Sequence, residues 1–184
     1  MTVGDLWFLA EAADQRAERA YHAFTDRYDE FLTFERTDHV SHGRFRTLAR
    51  RSRDCGTPYG VHTVVHREDG ELLLVRHDGV DLWVLPGGCV EADETHREAA
   101  RRELAEEAGV EVSTDGLAMV TRLTIRSGSH EMSGVLPVFA ARAESHDPEI
   151  SDPDCEISAA RWFDRLPEDT RDREDLLTWR TEAF

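Results

Sequence analysis

The sequence contains no lysine. Its 22 basic residues are all arginine, and 38 acidic residues outnumber them, which gives a formal net charge of −16 over 184 residues. Such an acidic chain is unsuited to nonspecific binding of nucleic acid or anionic membranes, and we expect neither as a partner. The dense carboxylates also resemble an adaptation to high salt, a hypothesis that fails if activity and stability peak at low salt.

Cysteine and long apolar runs are also scarce. Cys55, Cys89 and Cys155 are odd in number and widely spaced, which argues against a disulfide framework or a zinc finger and favours a reducing compartment. No apolar run approaches the roughly 18 residues that a membrane-spanning helix needs. The first residues lack the basic and apolar regions of a secretory signal. We therefore expect a cytoplasmic protein.

One stretch, from Gly87 to Val110, carries most of the chemical information. It begins as a glycine turn and continues as a run of good helix formers. Asp93 is a suitable N-cap, because its carboxylate can accept from the first free backbone N–H groups. Gly109 is a suitable C′ residue, because glycine takes the left-handed conformation at little cost. The stretch predicts a helix between these two residues.

Three glutamates share one face of this helix. Glu103, Glu106 and Glu107 stand at i, i+3 and i+4, and like charges at that spacing cost roughly 0.2–0.5 kcal/mol each. The stripe beside them is apolar and consists of Ala100, Leu104 and Ala108. A hard divalent cation such as Mg²⁺, which takes oxygen ligands, would relieve the repulsion. The alternative is an acidic face that is simply solvated.

The spacing of the whole stretch resembles the Nudix box. From Gly88, five residues lead to Glu94, and seven more lead to the pair Arg102-Glu103. The remaining fixed positions are Leu104, Glu106, Glu107, Gly109 and Val110. The preceding run from Trp83 to Gly88 also matches the family pattern. On these residues the chain is identified as a member of the Nudix hydrolase family, with the resemblance covering about Pro58 to Thr181.

The resemblance implies hydrolysis of a nucleoside diphosphate linked to another group. Water would attack one phosphorus of a P–O–P linkage in a small-molecule nucleotide: a nucleotide-sugar, a dinucleotide or a nucleoside triphosphate. The implied cofactor is Mg²⁺, with Mn²⁺ as a substitute, and the implied ligands are Glu103, Glu106, Glu107 and the carbonyl of Gly87. Glu107 or Glu103 is also implied to handle the nucleophilic water.

Other box residues receive structural roles from the same resemblance. Arg102 is expected to hold the loop by pairing with Glu94, and Glu98, one turn back, is a second partner for it on the helix. Gly88 and Gly109 complete the structural set. Cys89 occupies a variable loop position.

A further carboxylate is expected from a loop after the box, as a ligand or a base. Glu156 is the candidate, because it directly precedes a predicted strand from Ile157 to Phe163. A plain surface position is the alternative for Glu156. The competing carboxylates are Glu131, Glu149 and Asp154.

The substrate is poorly determined by the sequence. The segment from Leu123 to Arg126 lacks the proline of ADP-ribose-cleaving relatives, and the one from Ser127 to Ser129 lacks the tyrosine of dinucleoside-polyphosphate relatives. Candidates for stacking a base or contacting a sugar, or else for the core, are Tyr59, His62, Trp83 and Phe139.

The N-terminal part lies outside the resemblance. Apolar residues every three or four positions predict a long amphipathic helix from about Asp5 to Leu32. It would pack either within the chain or in a homodimer. Thr33 to Arg53 is less regular. Its arginines from Arg44 to Arg53 either meet substrate phosphates or the acidic surface of the main domain, or belong to a solvated short helix or linker.

The expected fold is α/β, a Nudix fold with a mixed β-sheet sandwiched between α-helices. Residues 1–57 form an N-terminal helical extension and 58–184 the Nudix hydrolase domain. The predicted strands are Val61–His66, Leu72–Arg76, Met119–Arg126, Met132–Ala141 and Ile157–Phe163. The third and fourth form a hairpin, with Pro137 at an edge position or a bulge. The predicted final helix is Asp172–Thr181. A nucleotide-sensing module without activity and an isoprenyl-diphosphate-isomerase-like enzyme are the alternatives, and the complete set of box glutamates favours a hydrolase.

Overall fold

The computed structural model describes residues 3–145 and 147–184. The helices in these residues are α1 (Val3–Arg27), α2 (His42–Cys55), α3 (His96–Glu107) and α4 (Arg173–Ala183). The strands are β1 (Leu32–His39), β2 (Val61–His66), β3 (Leu72–His77), β4 (Leu82–Val84), β5 (Gly87–Gly88), β6 (Val112–Ser127), β7 (His130–Ala143) and β8 (Ile157–Phe163). The chain divides into two units: residues up to Val61 with Met119–Pro137, and His62–Ala118 with Val138–Phe184.

In the first unit, α1 and α2 are amphipathic and pack against each other. Their apolar faces join residues of β6 and β7 in one core, which contains Leu6, Ala10, Ala13, Phe45, Leu48, Ala49, Leu123, Ile125, Met132 and Leu136. β1 runs parallel to the second part of β6, from Leu32 opposite Met119 to His39 opposite Arg126. The arginines of α2 lie on its exposed side.

In the second unit, β3 is the central strand. It pairs antiparallel with β2, β4 and β8, while β2 pairs parallel with the second part of β7. Both faces of β3 are covered, because the run Leu72–Val75 is completely buried. The core beneath the box helix consists of Val65, Leu73, Val75, Val84, Leu104, Ala108, Val110 and Ile157. The fold is the predicted mixed sheet flanked by helices.

Most predicted elements are present. β2 and β8 have the predicted bounds, and α4 begins one residue after the predicted start. The hairpin of β6 and β7 turns at Gly128-Ser129, inside the predicted loop. None of the helices in residues 3–145 and 147–184 is long and apolar enough to cross a membrane. All three cysteines are thiols.

Two local predictions are wrong. α1 ends at Arg27 rather than at Leu32. The first part of the less regular stretch from Thr33 to Arg53 forms β1, because the strand's partner is β6, far along the chain and invisible to a local pattern. The second part forms most of α2, in agreement with the short-helix alternative. Pro137 lies in the part of β7 that precedes the pairing with β2, which begins at Val138.

Candidate active site

The box helix begins with a capping box rather than with the predicted Asp93 cap. The Thr95 side chain accepts from the backbone N–H of Glu98 at 3.2 Å, and the Glu98 carboxylate accepts from the backbone N–H of Thr95 at 2.9 Å. Asp93 lies two residues earlier with a φ of +66°. Because Glu98 is used in this way, it does not serve as the predicted partner of Arg102.

Arg102 connects the helix to the glycine loop, as the sequence predicted. Its Nε and Nη2 atoms donate to the two oxygens of Glu94, both at 3.1 Å, and Nη2 also donates to the carbonyl of Cys89 at 2.9 Å. Its Nη1 atom donates to Glu103 at 2.9 Å and to Glu106 at 3.3 Å. These hydrogen bonds from Arg102 hold the pKa of Glu94 below its ordinary value. One guanidinium therefore fixes the loop and neutralises part of the acidic face.

Glu107 is the most unusual residue of the helix, because its carboxylate is buried. Only 8% of the residue is exposed, and one oxygen accepts from the backbone N–H of Gly87 at 2.8 Å. Burial, together with the nearby charges of Glu103, Asp152 and Glu156, raises the pKa of Glu107 to about 8, although the hydrogen bond from Gly87 acts in the opposite direction. Within residues 3–145 and 147–184, no ion pair reaches Glu107. The helix thus places a carboxylate that resists ionisation beside the glycine loop.

Glu103 lies against Gly88. A Cβ on Gly88 would lie 2.6 Å from the Glu103 carboxylate, so a side chain there would displace it. Burial raises the pKa of Glu103, although the hydrogen bond from Arg102 acts in the opposite direction. Glu106 is the most exposed of the three glutamates, with 32% of its side chain accessible. The glycine loop and the helix therefore face each other through carboxylates.

The acidic loop between β7 and β8 docks on the C-terminal end of α3. The backbone N–H of Glu149 donates to the carbonyl of Ala108, and that of Ser151 to the carbonyl of Glu106, both at 2.8 Å. Gly109 has the predicted left-handed conformation, with a φ of +59°, and a Cβ there would lie 2.2 Å from the carbonyl oxygen of Glu149. This docking brings the acidic loop next to the glutamate face.

Asp152 organises the remainder of this loop, a role that sequence reasoning missed. Its carboxylate accepts from the backbone N–H groups of Asp154 at 3.0 Å, Glu156 at 2.6 Å and Ile157 at 2.9 Å. Burial would raise the pKa of Asp152, but these three bonds lower it below its ordinary value. The segment Asp152-Pro153-Asp154 is a recognisable turn signal that could have revealed this role.

A family model described as NUDIX domain matches residues 56–178. The chain belongs to the Nudix hydrolase family. A MutT-like protein of Streptomyces ambofaciens is 46% identical over 66 residues, which cover 36% of this chain and 43% of the relative. An RNA pyrophosphohydrolase of Halorhodospira halophila is 41% identical over 66 residues, 36% of each chain. The matched segment spans less than half the length of either curated relative.

The structural comparison supports the Nudix fold alone. A Nudix hydrolase from Nitrosomonas europaea superposes with a TM-score of 0.53 at 21% identity, over 67% of this chain and 87% of the other. Within the second unit, the Nudix box lies on β5, the glycine loop and α3.

The donor chemistry of the Nudix box fits a hard divalent cation. Glu103, Glu106 and Glu107 offer carboxylate oxygens, Gly87 lies next to Glu107, and the missing side chain of Gly88 leaves space beside Glu103. In the described parts of the chain, however, no three His, Cys, Asp or Glu side chains already converge on one point in the manner of a metal site. Two of the candidate ligands are instead held by Arg102.

The remaining predicted residues are dispersed. Glu156 is exposed, immediately before β8, where it was predicted. Its competitors differ in position: Glu149 and Asp154 share its loop, whereas Glu131 pairs with Arg126 in the first unit.

The aromatic candidates also separate. Tyr59, in the first unit, donates to Asp38 at 2.8 Å, and burial raises its pKa to about 12. Phe139 is buried in β7, and Trp83 packs edge-to-face on Phe163. His62 is half-buried in β2.

Proposed function

We propose that the protein is a divalent-cation-dependent hydrolase that cleaves the pyrophosphate linkage of a nucleoside diphosphate derivative. The observation that carries the proposal is the burial of Glu107 among other carboxylates at the glycine loop. A buried acid with a pKa of about 8 lowers the free energy of unfolding at neutral pH, because the folded chain keeps a proton that the unfolded chain releases. Functional sites are where such shifts accumulate. The pyrophosphohydrolase name of the Halorhodospira halophila relative agrees with this class of reaction.

Each residue of the site receives a distinct task. Glu103, Glu106, Glu107 and the carbonyl of Gly87 would hold Mg²⁺ or Mn²⁺. When bound, the cation would neutralise phosphate oxygens and lower the pKa of water. Arg102 keeps the glycine loop in place against the helix.

The acidic loop supplies the proton acceptor. In the proposed reaction the oxygen of water forms a bond to one phosphorus, and the bond from that phosphorus to the bridging oxygen breaks. The proton of water passes to the carboxylate of Glu156, and the second phosphoryl product leaves with the bridging oxygen. Glu156 suits this task because it is exposed to solvent and its charge acts on Glu107.

A substrate panel tests the proposal. It contains ADP-ribose, an NAD-type dinucleotide, a dinucleoside polyphosphate, nucleoside triphosphates and a 5′-triphosphorylated RNA oligonucleotide, each with Mg²⁺, with Mn²⁺ or with EDTA. Phosphate released after phosphatase coupling reports cleavage. We expect cleavage of at least one compound with either cation and none in EDTA. Binding without turnover would support a sensing module, and turnover without anhydride cleavage would support an isomerase, so either result contradicts the proposal.

We also propose that residues 58–184 carry the hydrolase activity and that residues 1–57 form an extension through which a homodimer assembles. Trp7 and Phe8 on α1 support this, because 56% and 67% of their surfaces are exposed. Light scattering should give a dimer for the natural chain and a monomer for Trp7→Ser/Phe8→Ser. A monomeric natural chain would contradict the dimer.

A further inference from the structure

The main chain of Glu156 is fixed on both sides. Its N–H donates to the Asp152 carboxylate at 2.6 Å, and its carbonyl accepts from the N–H of Asp78 at 2.8 Å. Asp78 belongs to the turn that follows β3. Two hydrogen bonds therefore hold the backbone of Glu156, while 62% of its side chain is exposed.

A β-bulge sets the direction of this region. Arg76 pairs with Ala159 and His77 with Ile157, so Ser158 is an extra residue on β8. Bulges bend a strand and redirect the neighbouring side chains. This one places the end of β3, and with it His77, beside the residue that precedes Ile157.

The side chain of His77 reaches the carboxylate of Glu156. Its Nε2 atom lies 3.5 Å from Oε2 of Glu156, and its Nδ1 atom accepts from the backbone N–H of Gly79 at 3.2 Å. Because Nδ1 is an acceptor, a neutral ring carries its proton on Nε2, the ring nitrogen that lies near Glu156. Gly79 permits this close approach, since a Cβ there would lie 3.1 Å from Cε1 of the ring.

We propose that His77 is a positioning residue, which holds the Glu156 carboxylate in the orientation needed to accept a proton from the attacking water. This inference rests on the proposed function and adds a residue outside the Nudix box to it. Oε2 is the oxygen of Glu156 next to Nε2, at 3.5 Å, which leaves the other oxygen for water. The ring itself does not exchange a proton with substrate.

The test uses the full-length protein and the panel compound that it cleaves fastest. His77→Ala should lower kcat by roughly 10- to 100-fold, the usual cost of losing a group that orients a reacting side chain, with KM changed less than threefold. His77→Gln should restore most of kcat, because the amide N–H of glutamine reaches the position of Nε2. A structural role alone would not give this rescue.

A double-mutant cycle assigns the effect to Glu156. In the Glu156→Gln background, His77→Ala should lower kcat no further, because the two residues act as one unit. The proposal would be overturned if the two substitutions lowered kcat independently, so that their effects multiplied in the double variant. It would also be overturned if His77→Ala were as active as the natural chain, or if a folded His77→Gln were as inactive as His77→Ala. A Glu156→Gln variant with full activity would do the same. Thermal melts identify any variant that fails to fold. If His77→Ala does not fold, the kcat of His77→Gln decides whether the proposal holds.

A matched control comes from the same unit. His66 forms a similar pair with Asp115, with Nε2 and Oδ2 3.1 Å apart, and it takes no part in the site. His66→Gln should leave kcat within twofold. If the natural chain cleaves none of the panel, the proposed function fails. If it cleaves a compound and His77→Ala has no effect, only the positioning role fails.

Discussion

Helices α2 and α3 are of similar length but are built on opposite principles. α2 buries Phe45, Leu48 and Ala49, exposes its arginines and has Arg53 in its last turn, where the helix dipole favours a cation. α3 buries Glu107 among its apolar residues and has Glu106 and Glu107 in its last turn, where the dipole disfavours them. The residues of α2 therefore favour its stability, whereas the glutamates at the C-terminal end of α3 lower the stability of that helix.

The destabilising charges of α3 are confined to its C-terminal end and are partly offset by neighbouring groups. Arg102 neutralises Glu103 and Glu106, and a full capping box secures the N-terminal end of α3. The acidic loop satisfies two carbonyls at the C-terminal end. Of the three glutamates on the box face, Glu107 is the one without an ion pair among the described residues, although the N–H of Gly87 donates to it. The destabilising charge of α3 is therefore concentrated on this side chain.

The largest effect is expected from Glu107→Gln. Glutamine preserves the acceptor for Gly87 N–H but removes the charge, so kcat should fall by roughly 10²- to 10⁴-fold while the fold persists. Steady-state kinetics with the best panel compound and Mg²⁺ measure this. Glu98→Gln is the matched control on the same helix, since glutamine also completes a capping box, and its kcat should be unchanged. Wild-type turnover by Glu107→Gln would show that Glu107 is not a ligand.

The second prediction concerns α2, where stability should depend on apolar packing. Phe45 is completely buried in the core of the first unit. Phe45→Ala should lower the free energy of unfolding by about 3–5 kcal/mol, as measured by urea denaturation. Phe45→Leu, which keeps most of the volume, should cost clearly less. Equal losses for the two variants would mean that packing volume does not determine the stability of this unit.

The third prediction is a pH dependence that belongs to α3. Burial raises the pKa of Glu107 from an ordinary 4.5 to about 8. Between these values the folded chain keeps a proton that the unfolded chain has released, so this residue lowers the free energy of unfolding as pH rises. The slope is at most about 1.4 kcal/mol per pH unit. Below pH 4.5 both states are protonated and the contribution of Glu107 is constant.

Urea denaturation in EDTA between pH 4.5 and 8.5 measures this dependence in the natural chain and in Glu107→Gln. The difference between the two curves isolates Glu107 from the other carboxylates. Glu107→Gln should be the more stable protein at pH 8, in contrast to its loss of activity. Parallel curves would mean that Glu107 is ionised in the fold.

The same two helices show how far the sequence can be interpreted. The glutamate face, the Arg102–Glu94 pair and Gly109 were predictable because spacing along one helix determines which side chains are neighbours. The N-cap was not, although Thr95 and Glu98 have the spacing of a capping box. Asp93 and Thr95 are both residue types that favour an N-cap. Asp93 has a positive φ, and Thr95 is the residue that caps the helix.

Features that depend on partners far along the chain could not be predicted from the sequence. β1 was missed because Arg36 and Asp38 occupy its half-buried positions and obscure the alternation. Its partner β6 lies far along the chain. His77 and Glu156 are likewise joined only by the pairing of β3 with β8 and its bulge, which no local pattern contains.

The smallest effect is expected on the exposed face of α2. Arg46 is exposed, on the side of the helix away from Phe45 and Leu48. Arg46→Gln should change the free energy of unfolding by no more than about 0.5 kcal/mol and leave kcat unaltered, because glutamine is nearly as good a helix former as arginine. Urea denaturation and kinetics at low and high KCl measure both quantities. A loss above about 1 kcal/mol would show that Arg46 contributes to the stability of α2, and a fall in kcat that appears only at low salt would show that its charge contributes to activity. The two helices would then differ in the sign of their exposed charges, and both would contribute to more than stability.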